Sequence, residues 1–394
     1  METDVLIGLR GGGVPTGPAT AANPGAAINF WSDIMIKRSP PGMAALALLA
    51  LSGCIVDPTS PELIDSNSST VASPTNGIQA QPLDPEQYTS EPVPTGLNGD
   101  MVALGGMLYE PQNNWWNARV DNAPLDPNSA KIIETIQSYE SNGAELHPDF
   151  SPSAGIPFVI VDDQTPLVQV SFGDPGESDA GIPGGPAGYP IPADAVNNPA
   201  YIENGGRSDG DRHMVIFDKD KRVAFEMVQV AYGNGKWSAS YGAVFKLDSN
   251  YRRPEGWTSA DASGLCMLAG LVRYDEVYGV WPMRHALRVS LRHTNGHVYP
   301  ASHTGAEDAG APPLGTRLRL KASFDVSKYP PHMAKILHAM KRYGLIVTDR
   351  GSSMYIQGTM DPRWNNSVLN PVFHDLDAGD FEVIKLGWKP TTIQ

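Results

Sequence analysis

Apolar residues recur every three or four positions in two stretches, 126–142 and 330–344, which predicts two amphipathic helices. The first stripe comprises Ile132, Ile133, Ile136 and Tyr139. The second comprises Met333, Ile336, Leu337 and Met340. Pro330 and Pro331 suit the first turn of the second helix, and Gly344 suits its C-terminal end.

Short apolar runs, typical of strands, make up most of the remaining pattern. They occupy 157–162, 166–172, 213–218, 223–232, 286–291, 317–324, 345–349, 354–358 and 381–386. The chain also holds 40 Gly and 35 Pro among 394 residues, more than helical bundles tolerate. Many short strands with few helices predict a mainly β fold, an antiparallel β-sandwich or jelly-roll-like domain with a few peripheral helices. A long irregular connection, 173–210, interrupts the strands, and such loops are often functional.

A different pattern appears upstream, in MIKRSPPGMAALALLALSGC at 35–54. Two basic residues, a short apolar run and small residues before Cys54 are typical of a signal peptide. The run is shorter than the about 20 residues that a helix needs to cross a bilayer. Its end, Leu51 to Cys54, resembles the bacterial lipobox, whose cysteine is lipidated. The sequence therefore predicts an extracytoplasmic protein, lipid-anchored to the bacterial cell envelope at Cys54; the alternative is a buried helix of a cytosolic protein.

These patterns divide the chain into four parts. Residues 1–34 are interpreted as upstream sequence from an early start, because Met35 is the more natural beginning of a signal peptide. Residues 35–54 are the lipoprotein signal peptide. The Pro-, Ser-, Thr- and Asn-rich segment 55–98 is predicted to be a disordered tether, and 99–394 a single β-rich domain.

Charge and cysteine content exclude several classes of protein. A formal charge of -14 argues against a nucleic-acid partner, since phosphate binding needs a basic surface. Removal of the signal peptide leaves Cys266 as the one unmodified cysteine, which excludes an internal disulfide and a four-cysteine zinc site.

Three predicted strands each place one titratable group among aliphatic residues. Alternate side chains of a strand share a face, and on this basis His213, Glu226 and His285 lie on apolar faces. Burial shifts the pKa of such groups, which is common at active sites. They are therefore candidate acids or bases, and the alternative is a polar group hydrogen-bonded at a sheet rim.

Histidine and carboxylate side chains also raise the question of a metal. If His213, His285 and His303 converge, with Glu226 nearby, they form a set of normal ligands for a divalent metal. Their spacing matches no metal motif, so no cofactor is assigned firmly.

Two predicted strands carry rows of basic side chains. The first row is Arg284, Arg288 and Arg292, on the face opposite His285. The second is Arg317, Arg319 and Lys321. Such rows in an acidic protein predict a cationic surface that binds carboxylates; the alternative is ordinary solvated charge.

Carboxylate chemistry offers two reaction types. Asp275 and Glu276 are adjacent and point apart in a strand, so a glycosidase pair needs a partner such as Glu226, Asp211 or Asp261. A uronate lyase instead needs a base and a cation, which the following residues provide by type: His285, Tyr274 and Arg273. Asp261 also fits a capping box with Thr258, a structural role.

Several blocks of sequence resemble a family of secreted microbial proteins over about 114–381. They are DRH at 211–213, GWTSADASGL at 256–265, GLVRYDEV at 270–277, HALR at 285–288, PASH at 300–303, RLRLKASFD at 317–325 and RYG at 342–344. The resemblance implies secretion and supplies no catalytic residue.

The sequence thus predicts an anchored enzyme that cleaves an extracellular, acidic polysaccharide by hydrolysis or β-elimination. The candidate catalytic residues are Asp211, His213, Glu226, Asp275, Glu276, His285 and His303. The candidate substrate-binding residues are Arg273, Tyr274, Arg284, Arg288, Arg317, Arg319 and Lys321. Two alternatives stay open: a non-catalytic glycan-binding or envelope structural lipoprotein, and a metal-dependent enzyme of another substrate class.

Overall fold

A computed structural model describes residues 96–97, 110–150, 155–279 and 282–390. The predicted upstream segment, the signal peptide with Cys54 and the tether as far as residue 95 lie outside the described residues. Gly96 and Leu97, the last part of the predicted tether that is described, pair with a strand of the domain. These two residues therefore belong to the folded domain and not to the tether.

The described elements follow one another along the chain as short strands and four α-helices. The strands are β1 (Gly96–Leu97), β2 (His147–Asp149), β3 (Phe158–Val161), β4 (Val170–Phe172), β5 (Met214–Asp218), β6 (Val223–Val228), β7 (Ala231–Gly233), β8 (Lys236–Ala239), β9 (Tyr241–Lys246), β10 (Leu287–Leu291), β11 (Arg317–Leu320), β12 (Leu345–Arg350), β13 (Tyr355–Gln357) and β14 (Phe381–Val383). The helices are α1 (Ser129–Gln137), α2 (Tyr274–Tyr278), α3 (Pro331–Arg342) and α4 (Asn366–His374). None of the described helices has the length and apolar character that crossing a membrane requires.

The predicted predominance of strand is confirmed, with 26% strand against 19% helix. Three sheets have the orders β1-β3-β5-β6-β9, β14-β11-β12-β10-β13-β2 and β4-β8-β7. Each contains a parallel pair, β3 with β5, β10 with β12 and β4 with β8, so the antiparallel part of the prediction is wrong. Long connections between these strands, such as the one that contains α3, permit the parallel pairing. One sheet curls into a half-barrel, and the described residues form no clear sandwich or jelly roll.

The five-stranded sheet is covered on both faces. Nearly every residue of its central strands β5 and β6 is apolar, and all of them are buried. Val215 and Phe217 pack into a cluster with Trp116 and the segment 265–271. Their neighbours along β5 point the other way, into a cluster with Tyr189 from the long connection 173–210. Residues of the connection 173–210 thus pack against this face of the sheet. Strands that are apolar on both faces need such a cover on each side.

The six-stranded sheet packs one face against the predicted helices. Both amphipathic helices are confirmed, and their predicted stripes supply these buried residues: Ile133, Ile136, Met333, Ile336, Leu337 and Met340. On the sheet, Leu287, Val289 and Leu291 of β10 point into the same core. The intervening residues of β10 therefore point to the opposite face, where Ala286 and Ile346 join the cluster that also contains the five-stranded sheet. Arg288 lies on that covered face.

Candidate functional site

A cluster of charged side chains lies where the two larger sheets approach each other, and we call it the Arg288 cluster. It comprises Glu203, Asp211, His213, Asp261, Arg288 and Asp349. Arg288 comes from β10 and Asp349 from β12, which are paired strands. Asp211 and His213 immediately precede β5, whereas Asp261 and Glu203 lie in connections. The fold thus gathers six titratable groups from five segments of the chain.

An ion pair occupies the centre of this cluster. Arg288 Nε donates to Asp261 Oδ2 at 2.9 Å, and its Nη2 lies 2.7 Å from Asp261 Oδ1. Both side chains are buried, at 3% and 0% exposure. Arg288 Nη2 also lies 3.8 Å from Asp349 Oδ2, so one guanidinium faces two carboxyl groups. The Nε–Oδ2 contact is a charge-assisted hydrogen bond, whereas the Nη2–Oδ1 contact is a close approach of opposite charges without hydrogen-bond geometry.

His213 forms the second cationic group. Its Nδ1 lies 2.6 Å from Glu203 Oε2, and its Nε2 lies 3.0 Å from the carbonyl oxygen of Ala260. Because both neighbours are acceptors, both ring nitrogens carry hydrogen and the ring is an imidazolium. Burial alone would lower the pKa of His213, but the Glu203 carboxylate and Asp211 raise it to about 9. In turn His213 outweighs the effect of burial and lowers the pKa of Glu203.

The two remaining carboxyl groups, those of Asp211 and Asp349, are the least buried of the cluster. Asp211 is half-buried, and the Asp349 side chain is 25% exposed. Burial and the neighbouring Asp261 raise the pKa of Asp349 to about 8, against the opposing charge of Arg288. Burial and Glu203 also raise the pKa of Asp211, while His213 and Arg288 oppose the rise. The charge of Asp211 also raises the pKa of Asp349.

The connection 256–265 holds Asp261 in place through its backbone. The hydroxyl groups of Thr258 and Ser259 donate to the carbonyl oxygen of Asp261, at 3.2 and 2.9 Å. Gly264, at φ +75°, allows the chain to turn back beside Ser302. The segment is not helical, so the predicted capping box of Thr258 and Asp261 is wrong: the Asp261 carboxylate binds Arg288 instead.

A second group of predicted residues meets at α2. Arg273 Nη2 donates to Glu276 Oε1, and His285 Nε2 lies 3.0 Å from Glu276 Oε2. Lys335 of α3 donates to the carbonyl oxygen of Glu276 at 2.9 Å. Burial would raise the pKa of Glu276, but Arg273 and His285 lower it below its ordinary value. The group is an internal ion-pair network that ties α2 to neighbouring segments.

The residues at 274–276 form a helix and not the strand in which adjacent acids were expected to point apart. Asp275 Oδ1 lies 3.9 Å from Arg273 Nε. Tyr274 stacks on Tyr278 with 4.4 Å between ring centroids, and the guanidinium carbon of Arg363 lies over the Tyr274 ring, 4.2 Å from its centroid. Stacked aromatic and guanidinium groups thus flank Tyr274 within the protein itself.

Glu226 lies apart from both groups, inside the five-stranded sheet. It is fully buried and accepts hydrogen bonds from the backbone N–H groups of Met267 and Leu268, both at 2.9 Å. The Cys266 thiol donates to the same carboxyl group at 3.2 Å. Burial raises the pKa of Glu226 despite these donors. Its predicted position on the face of Ala224 and Val228 is confirmed.

The predicted histidine ligands are engaged separately. His213 and His285 have the partners given above, and His303 Nδ1 lies 2.8 Å from the carbonyl oxygen of Ala262. Across the described part of the chain, no group of three or more His, Cys, Asp or Glu residues is arranged to hold a metal ion. The structure therefore does not bring His213, His285 and His303 together as a ligand set.

The two basic rows do not form one cationic surface. In the first row, Arg288 is buried, Arg284 is half-buried, and Arg292 pairs with Glu140 at 2.6 Å. The predicted alternation along β10 is correct, but both faces of the sheet are covered at its centre, so Arg288 points into the protein while Arg292, beyond the end of the strand, is exposed.

The second row is also directed largely into the protein. Arg317 is buried and donates to the carbonyl oxygens of Tyr343 and Ala118, at 2.8 and 3.1 Å. Burial lowers the pKa of Arg317 to about 9. Arg319 binds Glu382 at 2.7 Å, and the exposed Lys321 donates to a backbone carbonyl group. These side chains hold the β11 region to neighbouring segments.

Sequence reasoning missed two members of the Arg288 cluster, Glu203 and Asp349. Asp349 follows the apolar run LIVT of β12, and an acid at the end of a buried strand is a recognisable signal. Glu203 lies in the irregular connection 173–210, where no periodicity distinguishes it from other acids.

Comparisons of the chain with protein-family models, with curated proteins and with solved structures find no match. The resemblance of the sequence blocks to a secreted microbial family therefore stays a prediction. Any function rests on the geometry of the cluster and on the chemistry of its residues.

Proposed function

We propose that the protein is an envelope-anchored hydrolase of an extracellular glycan, with Asp349 as general acid and Asp211 as general base or nucleophile. The observation that carries the proposal is the arrangement of the Arg288 cluster. Four of its charged groups form two ion pairs inside the protein, while Asp211 and Asp349 are only partly buried and have no such close partner.

Hydrolysis of a glycosidic bond requires two carboxyl groups in different protonation states. One protonates the leaving oxygen, and the other, ionised, activates water or attacks the sugar. Asp349, with a pKa of about 8, holds a proton at neutral pH. Burial and Glu203 raise the pKa of Asp211 above its ordinary value, but the cations His213 and Arg288 oppose the rise and favour its ionised form. The different surroundings of the two carboxyl groups thus support different roles.

Hydrolysis is favoured over β-elimination because His285 and Arg273, the predicted lyase residues, are already paired inside the protein. Elimination from a uronate needs a free base and a cation for the substrate carboxylate. His285 and Arg273 both bind Glu276, and all three side chains are largely buried. Recruiting them would leave Glu276 as an uncompensated buried charge.

The anchoring and the extracellular substrate come from the sequence pattern at 35–54. A lipid at Cys54 would attach the protein to the membrane. An enzyme tethered in this way can reach a polymer outside the cell as its substrate. The proposal includes no metal and no nucleic-acid partner.

A non-catalytic glycan-binding lipoprotein is the second candidate, and one observation favours it. The ion pairs of the cluster and of the α2 network are buried and pair protein groups with each other, as in networks that only hold a fold together.

The test is an activity screen of the purified full chain against neutral and uronate-bearing polysaccharides. New reducing ends report hydrolysis, and ultraviolet absorbance of unsaturated uronates reports elimination. Asp349→Asn and Asp211→Asn should each lower hydrolysis about 100-fold or more. Asp325→Asn is the matched control, because Asp325 is an exposed aspartate that binds only its own turn at Ser327. Glycan binding without either product would overturn the proposal in favour of the second candidate.

A further inference from the structure

Arg288 and His213, the two cations of the cluster, each already bind acceptors of the protein. Arg288 is held by Asp261 through two contacts of 2.9 and 2.7 Å. His213 is held by Glu203 at 2.6 Å and by a backbone carbonyl group. An incoming carboxylate would have to displace one of these buried partners.

The arginines that follow Asp211 and Asp349 in the sequence also bind acceptors of the protein. Arg212, beside Asp211, donates to Gln229 Oε1 at 2.5 Å and to the carbonyl oxygen of Val230 at 3.2 Å. Arg350 follows Asp349 in β12 and points to the opposite face, where it lies 3.2 Å from Asp308 Oδ2 and donates to the carbonyl oxygen of Arg292. Neither guanidinium is directed to a substrate by these contacts.

The charge balance of the cluster is unfavourable for an anion. Two cations, Arg288 and His213, lie among the carboxylates of Glu203, Asp211 and Asp261, while Asp349 holds a proton at neutral pH, so negative charge still exceeds positive charge. A uronate placed here would be repelled by carboxylates without gaining a cation of its own, and such unpaired contacts are a strong basis for discrimination. Sugar hydroxyl groups, in contrast, donate hydrogen bonds to carboxylates.

We propose that the Arg288 cluster cleaves a glycan whose reacting sugar is uncharged, and that it rejects the uronate polymers that the basic rows of the sequence suggested. This inference rests on the proposed hydrolase function and names its substrate class. The determinant is the pairing of every nearby cation with a protein acceptor, so the preference depends on named contacts that can be altered.

The experiment uses matched pairs of substrates: several uronate polymers and the same polymers after reduction of their carboxyl groups to hydroxymethyl groups. Each pair keeps linkage and length and differs only in charge. Neutral glucans and galactans complete the panel, and kcat/KM is measured for the full chain from reducing ends. We expect the uncharged members to be preferred by about tenfold or more.

A variant tests whether pairing of the cations sets the preference. Gln229→Met removes the side-chain acceptor of Arg212, whose charge acts on the neighbouring Asp211, and should shift the ratio several-fold toward the uronate members. Asp325→Asn should leave the ratio unchanged, because that exposed aspartate contacts only its own turn.

The outcomes separate the two proposals. Cleavage of the uronate member as fast as, or faster than, its reduced partner would overturn the inference and leave the hydrolase function intact. No cleavage of any polymer would overturn the hydrolase function itself, and the substrate class with it. Preference for the uncharged members, relaxed in Gln229→Met, would support both.

Discussion

Arg288 and Asp261 hold each other through two contacts inside the protein, Nε to Oδ2 at 2.9 Å and Nη2 to Oδ1 at 2.7 Å. The pair joins β10 to the connection 256–265 and directs the guanidinium toward Asp349. It is therefore the contact on which the geometry of the whole cluster depends.

Removing one partner should cost far more than replacing both. Asp261→Asn leaves Arg288 as a buried cation without its main counter-charge, and should lower the free energy of unfolding by about 3–5 kcal/mol. The double variant Asp261→Leu with Arg288→Met replaces the pair by apolar groups, and should recover much of that loss. Urea denaturation of the three proteins measures the difference. Equal stability of the single and double variants would contradict a buried, coupled pair.

Stability should also depend on pH through His213. Its pKa is raised from 6.5 to about 9 in the folded protein, so the folded state binds more protons than the unfolded state between these values. The stabilisation is complete below pH 6.5 and is lost as pH rises through 9, an effect on the order of 3 kcal/mol. Asp349 adds a slope of the same sign at lower pH, because its pKa is raised as well.

Glu203→Gln isolates the histidine contribution. Without the carboxylate, the pKa of His213 should fall, and the fall of unfolding free energy between pH 6.5 and 9 should flatten. Histidine NMR titration and urea denaturation report the two effects independently. Glu145→Gln is the control, because Glu145 faces His374 at 3.9 Å in an exposed pair. An unchanged slope in Glu203→Gln would assign the pH dependence to other groups.

The pH dependence of activity should reveal the general acid. If Asp349 must be protonated, kcat/KM falls as pH rises through about 8, the pKa of that group. On the acid side, kcat/KM should rise as Asp211 ionises, at a pH above the ordinary aspartate pKa. Measurement of hydrolysis from pH 4 to 10 gives both limbs, roughly as a bell. An alkaline limb that persists at the same pH in Asp349→Asn would exclude Asp349 as the acid.

Much of the fold was accessible from the sequence, because periodic apolar stripes decide where helices and strands form. Both α1 and α3 lie within the predicted stretches, and each of the nine predicted strand runs contains a strand. By contrast, α4 contains Pro371, which argues against a helix in sequence reasoning. The five-residue α2 is too short for a helical stripe to show.

The site was harder to predict, because alternation shows which side chains share a face but not which face is covered. Arg288 was correctly placed opposite Leu287, yet its face packs inside the protein, and its partner Asp261 is 27 positions away. Glu203 and His213 meet through an irregular connection whose path no local pattern determines. Tertiary contacts of this kind decide whether a charged row binds a substrate or the protein itself.

Gly264 should be needed for the position of Asp261. It has φ +75°, and a Cβ at this position would lie 2.1 Å from Ser302 Oγ and 2.6 Å from the carbonyl oxygen of Trp257. Gly264→Ala therefore adds a clash to the strain of a left-handed residue, and should lower stability by more than about 1 kcal/mol and reduce activity. Gly296 is the matched control: it has φ +69° but no atom within 4 Å of a Cβ. Thermal unfolding measures the stability of both variants. Equal losses of stability in Gly264→Ala and Gly296→Ala would mean that backbone strain alone, and not the clash with Ser302, accounts for the effect.

Glu226 should be a structural acceptor, although its sequence position also suggested catalysis. Its carboxyl group accepts hydrogen bonds from the N–H groups of Met267 and Leu268 and from the Cys266 thiol, so it holds the segment 265–271 against β6. Glu226→Ala strands these buried donors, at about 1–3 kcal/mol for each unsatisfied group. Glu226→Gln keeps one acceptor oxygen and should lose less stability while the folded protein keeps its activity. Urea denaturation and hydrolysis assays on both variants separate the roles, because a folded but inactive Gln variant would return Glu226 to the catalytic residues.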